Sequence, residues 1–114
     1  MSDENPGNSG AIDPAVPAQL AQLVDYAPGS VVSRTLVKSK SGTMTVFAFE
    51  VGEELSEHTA PFDAYVQVLD GTVELMIGGE KVAATIGDLV RMPADIPHAV
   101  RAVERFKMLL TLYR

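Results

Sequence analysis

The chain has 114 residues, a formal net charge of -6 and no cysteine. That length suits one domain with its own core and leaves no room for a second. The acidic balance argues against a phosphate-binding surface, and the missing cysteine excludes disulfide staples, thiolate metal sites and a cysteine nucleophile, a composition suited to the reducing cytoplasm.

Residues 1–17 combine Ser, Asn, Gly, Asp and three prolines with few large apolar groups, so they read as a disordered N-terminal tail. "MSDENPGNSG" is acidic and polar where a signal peptide would open basic and then apolar. In residues 18–29, "AQLAQLVDY" places Leu20, Leu23 and Val24 at helical spacing before Pro28-Gly29, which predicts one short helix and a turn.

From Ser30 the texture changes to short runs rich in Val, Thr, Ile, Leu and aromatics, separated by glycine-containing turns. The predicted strands are "VVSRTLVK", "TMTVFAFE", "AYVQVLD", "TVELMIG", "KVAATI", "DLVRM", "HAVRAV" and "FKMLLTLY". Turns fall at Ser41-Gly42, Asp70-Gly71, Gly78-Gly79 and Gly87-Asp88, and the Gly78-Gly79 pair predicts a tight hairpin. Eight strands in residues 30–114 imply an all-β barrel or double-sheet sandwich, closed to avoid exposed edges. A barrel this small leaves a terminal strand unpaired, so a homodimer is the default expectation. No apolar stretch is long enough to span a bilayer, "FKMLLTLY" being short and interrupted by Lys107. Arg91, Arg101, Arg105, Lys107 and Arg114 gather in the last quarter, where a solvated strand face accounts for them, so neither nucleic acid nor membrane is an expected partner.

The chemistry-bearing residues are few. His58 and His98 are the two histidines, each beside a turn at a strand end. A lone histidine is most often structural; two carry more weight if the fold brings them together. "GGEK" is no phosphate loop, since no helix follows it, and Ser56 lacks the surroundings of a nucleophile. Met44, Phe47, Phe49, Tyr65, Met76, Met92 and Met108 are spread over several strands, and those pointing inward would form an apolar, adaptable lining. A pocket of Met44, Met76 and Met92 with His58, His98, Tyr65 and Gln67 as polar handles would suit a small-molecule ligand. The competing reading is plain core.

"GEELSEHTAPFDAYVQVLDG" (Gly52 to Gly71) and "GDLVRMPADIPHAVRA" (Gly87 to Ala102) resemble the two motifs of the cupin superfamily, through Gly52, His58 and Gly71 in the first and Gly87, Pro93 and His98 in the second. The resemblance covers residues 30–114. "VVSRT", "EHTAPFDA" and "RFKMLLT" resemble small single-domain, RmlC-like cupins of the cupin 2 conserved barrel type, whose activities are mostly unassigned. It implies a double-stranded β-helix, or jelly-roll, barrel, and in many members a metal (Fe, Mn, Ni or Zn) held by three histidines and one glutamate at the barrel mouth.

Here Ala60 stands at the second histidine position and Ala64 at the glutamate position. Two imidazoles alone make a poor metal site, because catalytic zinc keeps three protein ligands and non-haem iron commonly uses two histidines and a carboxylate. Asp63 could complete a set with His58 and His98 if Pro61 shifts the register, although an uninterrupted strand would face it away from Ala64; Glu57 is a weaker candidate. A divalent metal and no metal at all both stay open. The leading expectation is a small-molecule-binding cupin with a two-histidine remnant of a metal centre. The alternatives are a metal-dependent oxidoreductase or isomerase completed by Asp63 or water, and a structural or interaction module.

Overall fold

Runs with apolar residues at every second position bury one face each. In the structure, a computed structural model that describes residues 10–114, these runs pair into two antiparallel sheets. The strands are β1 (Val31–Ser39), β2 (Gly42–Phe49), β3 (Glu54–His58), β4 (Asp63–Asp70), β5 (Thr72–Ile77), β6 (Glu80–Thr85), β7 (Leu89–Met92), β8 (His98–Arg101) and β9 (Phe106–Tyr113). One sheet has the order β1-β2-β9-β4-β7 and the other β3-β8-β5-β6. From β3 onward the chain crosses repeatedly between the sheets, which is the jelly-roll arrangement expected from the sequence.

Among the described residues nine strands form where eight were predicted, the extra one being β3. Its sequence, "ELSEH", is charged and mostly exposed because β3 stands at the edge of its sheet beside β8, so it carries little of the apolar signal that marks a buried strand. The Gly78-Gly79 hairpin forms as predicted, with φ of 59° and 86° at its two residues and Ile77 opposite Glu80. Two successive positive φ values are what a two-residue hairpin of matching twist requires.

Strand alternation fills the interior. Val73 and Leu75 on β5, Ala64, Val66 and Val68 on β4, and Phe49 on β2 are each at most 1% exposed. Phe49 and Phe106 stack at one end of the barrel with ring centroids 4.6 Å apart. Along β9 the inward positions run Phe106, Met108, Leu110 and Leu112, from that packed end towards the other, where the side chains no longer meet.

The outward face of the larger sheet has its own cluster, Leu36, Val46, Ala48 and Leu109, covered by Leu20, Leu23 and Val24. The helix expected over residues 18–26 is a single 3-10 turn, Leu20–Gln22. Gln19 at its start makes no side-chain capping bond, and the run between Pro17 and Pro28 is shorter than an isolated helix needs. Packing on the sheet decides its shape instead. Tyr26 fastens the segment by donating its hydroxyl to Asp70, with Arg105 4.5 Å from its ring centre, and burial together with Asp70 pushes its phenol well above the usual range. The expected tail lies outside the described residues up to residue 9; at Gly10 and Ala11 the backbone carbonyls accept hydrogen bonds from Arg34.

Gly71 is the corner at which the chain leaves one sheet for the other, with φ of 72°, and a Cβ there would lie 2.2 Å from the carbonyl oxygen of Arg105. Gly71→Ala is expected to cost about 3 kcal/mol, from clash and strain together. Gly79→Ala has positive φ but open space around it, and should cost only about 1 kcal/mol. Urea denaturation of both variants measures the difference; equal losses would contradict the corner's role.

Candidate ligand site at the barrel mouth

β3 and β8 pair antiparallel, with Leu55 opposite Val100 and His58 opposite His98. Regular alternation from Leu55 would set Glu57 opposite His98, but a bulge between Leu55 and His58 adds one residue to β3. The extra residue turns His58 to the side of Leu55 and leaves Glu57 exposed. The two imidazoles therefore meet across the strands, with ring centroids 4.4 Å apart and planes at 68°.

Both rings line a hollow of about 100 Å³. Its other walls are Leu55, Ala60, Met92, Val100 and Met108, with Leu110 and Leu112 from β9. His98 is buried, whereas His58 stands at the exposed rim. The hollow thus has an apolar body, and its polar side chains are two imidazoles on one side of the mouth.

The structure brings together three of the seven residues expected around a pocket, His58, His98 and Met92. Tyr65 and Gln67 do not reach it, because Ala64, Val66 and Val68 take the inward phase of β4 and the alternate residues face out. Met76 lies on the outward phase of β5, between buried Leu75 and inward Ile77. Met44 packs in the outer cluster beneath the N-terminal segment. Phe47 and Phe49 do face inward, but they fill the packed core. Leu55, Val100, Leu110 and Leu112 were not singled out from the sequence, although the alternation in "FKMLLTLY" already sets Phe106, Met108, Leu110 and Leu112 on one face.

The structure does not bring Asp63 into the hollow with His58 and His98. β4 keeps a regular register against β9 from Asp63 to Val68, so no shift at its start turns Asp63 inward, and its carboxylate is held elsewhere. One oxygen accepts the Ala94 backbone N–H at 2.9 Å and the other the Arg91 Nε–H at 3.0 Å, and these two bonds hold its pKa below the usual carboxylate range. The Asp95 N–H donates to the Ala60 carbonyl at 2.8 Å, so Asp63 and Ala60 together tie the rim segment of residues 59–62 to that of residues 93–97. Among the described residues no three His, Asp or Glu side chains cluster as metal ligands. Two imidazoles flanked by the methyl group of Ala60 do not fit the three-histidine, one-glutamate centre that the family motif would supply.

Each imidazole is oriented by a backbone carbonyl two residues before it. His58 Nδ1 lies 2.9 Å from the Ser56 carbonyl oxygen, and His98 Nδ1 lies 3.2 Å from that of Ile96. Burial lowers the pKa of His98 below the usual histidine value, the Ile96 bond opposes this, and nearby His58 adds to the lowering.

This has a sign in pH. The unfolded chain takes up the His98 proton near the ordinary value of about 6.5, above the folded one, so its contribution to stability is complete above about pH 6.5 and declines as pH falls below it. The expected outcome is a urea midpoint that drops between pH 6.5 and 5, with a shallower drop in His98→Gln. An identical slope in both proteins would contradict the burial argument. In Asp63→Asn, weakening of the rim ties should lower the thermal midpoint at pH 7, and the deficit should shrink as acid below the usual carboxylate range protonates the native Asp63 as well; a deficit that stays constant as far down in pH as both proteins fold would contradict it.

Comparison with known proteins agrees with this geometry. Residues 45–112 match the family model described as Cupin domain. A conserved protein of unknown function from Streptococcus pyogenes is 39% identical, with 90% of each chain covered and a TM-score of 0.87. A cupin 2 conserved barrel domain protein from Leptotrichia buccalis is 42% identical over 82% of this chain and 46% of its own, with a TM-score of 0.80. A cupin superfamily protein from Desulfitobacterium hafniense is 27% identical over 91% and 94% of the two chains, with a TM-score of 0.85. No curated protein matches the chain. With its two motif histidines paired at the mouth of a nine-stranded jelly roll, this chain belongs to the cupin superfamily.

Proposed function

We propose that this cupin binds a small organic molecule in the hollow beside His58 and His98. One observation carries the reading: two imidazoles from different strands meet over a cavity whose other lining residues are apolar. A mostly apolar concavity with a few convergent polar groups is the usual makeup of a small-molecule site. At about 100 Å³ it is smaller than the ~150 Å³ cavity that takes up benzene, so the part of a ligand held inside has only a few heavy atoms. Reading the protein as a metal-dependent oxidoreductase or isomerase calls on Asp63 or water to complete the coordination, and Asp63 is committed to Arg91 and Ala94, which leaves water alone.

The cysteine-free composition supports a cytoplasmic setting. Among the described residues the sheets end at β1 and β7 in one and at β3 and β6 in the other, and such edge strands support pairing into a homodimer. Light scattering at twice the 12.2 kDa chain mass would bear this out, and a single-chain mass at all concentrations would contradict it.

Methionine methyl labelling tests the binding reading, because Met92 and Met108 line the hollow while Met44 and Met76 lie outside it. In a screen of small uncharged and charged fragments, binders are expected to shift the Met92 and Met108 signals saturably and to leave Met44 and Met76 in place. Shifts at Met44 or Met76 alone, or at no methionine with any fragment, would contradict the proposal. Near-stoichiometric Fe, Mn, Ni or Zn in purified protein, lost when both histidines become alanine, would favour the metal reading instead.

A further inference from the structure

The hydrogen bonds of the two imidazoles decide what the hollow offers a ligand. A carbonyl oxygen can only accept, so Nδ1 of His58, 2.9 Å from the Ser56 oxygen, and Nδ1 of His98, 3.2 Å from the Ile96 oxygen, both carry the ring proton. In the uncharged ring Nε2 is then a bare acceptor, and it is the polar atom that each ring has left for the hollow. The seven remaining lining residues are Leu, Ala, Val and Met, whose side chains contain neither N–H nor O–H.

We infer, resting on the binding reading above, that the hollow selects a small uncharged hydrogen-bond donor, a hydroxyl or amide N–H on a compact apolar body, and discriminates against anions. Two acceptors and no side-chain donor leave a carboxylate or phosphate without a partner at the price of its water. A ligand with no donor, such as an ether, would cover the Nε2 lone pairs without satisfying them, which costs about 1–3 kcal/mol per buried acceptor. A cation would lack a counter-charge, since the Asp63 carboxylate is bound to Arg91 and Ala94.

The test uses three small molecules of one shape at pH 7.5, acetamide, acetone and acetate, followed by the Met92 and Met108 methyl shifts of the full chain. Acetamide should bind at least about tenfold more tightly than either of the others, the ratio that one satisfied against one unsatisfied acceptor implies. His58→Leu, at an exposed rim position where the fold should tolerate change, is expected to shrink the acetamide preference to within about threefold. Equal binding of all three, with the Met92 and Met108 signals moving, would overturn the donor selection while leaving the hollow as a binding site. Tightest binding of acetate would overturn the assignment of both ring protons. No response to any of the three overturns the selection, and the fragment screen then decides separately whether the hollow binds at all. Zinc chloride alone is added in parallel: stoichiometric uptake lost in His58→Leu would show that the Nε2 pair serves a metal and overturn the inference.

Discussion

The site depends on one irregularity, the extra residue in β3 between Leu55 and His58. In a regular ladder alternate side chains face alternate sides, and the residue opposite His98 would be Glu57. The bulge moves the pairing on by one, so an imidazole meets an imidazole and the carboxylate of Glu57 stays in solvent. An acid beside His98 would have made a charged pair at the rim. What results is a pair of imidazoles, each steered by a carbonyl of its own chain two residues before it.

The remainder of the barrel holds this arrangement in place. Phe49 and Phe106 seal one end by stacking, and β9 leads from there through Met108, Leu110 and Leu112 to the open end. At the rim, Asp63 and the Ala60–Asp95 backbone bond join the two segments that carry the cupin motifs. Asp95 itself sits at a φ of 64°, unusual for a residue with a side chain. On the far side of the larger sheet the N-terminal segment covers Val46, Ala48 and Leu109, and Tyr26 latches it to Asp70 and the Arg105 side chain. Core, rim and covered face thus come from separate parts of the chain.

Much of this was legible in the residues. The eight predicted strands, the Gly78-Gly79 hairpin and the pairing of the two motif histidines all follow from local pattern or from the cupin motifs. Facing was legible too, where one phase of a strand is polar: Gln67 marks the outward side of "AYVQVLD" and Glu74 that of "TVELMI", which already sets Tyr65 and Met76 outside. Met44 is different. Both faces of β2 are covered, one by the core and one by the N-terminal segment, so neither phase of "TMTVFAF" carries a polar mark. Edge strand β3 and its bulge left no signal, because an exposed strand needs no apolar alternation and a bulge is set by its partner. The helix over residues 18–26 failed for a complementary reason: packing against a sheet overrode a short periodic run.

The central claim is that two imidazoles, both protonated on Nδ1, share one hollow. Long-range proton–nitrogen NMR of the histidine rings at pH 7.5 tests it most directly, combined with inter-ring proton contacts. The account predicts a pyridine-type Nε2 and a pyrrole-type Nδ1 in both His58 and His98, with a strong cross-peak between the two rings. Rings protonated on Nε2, or rings without mutual contact, would contradict it.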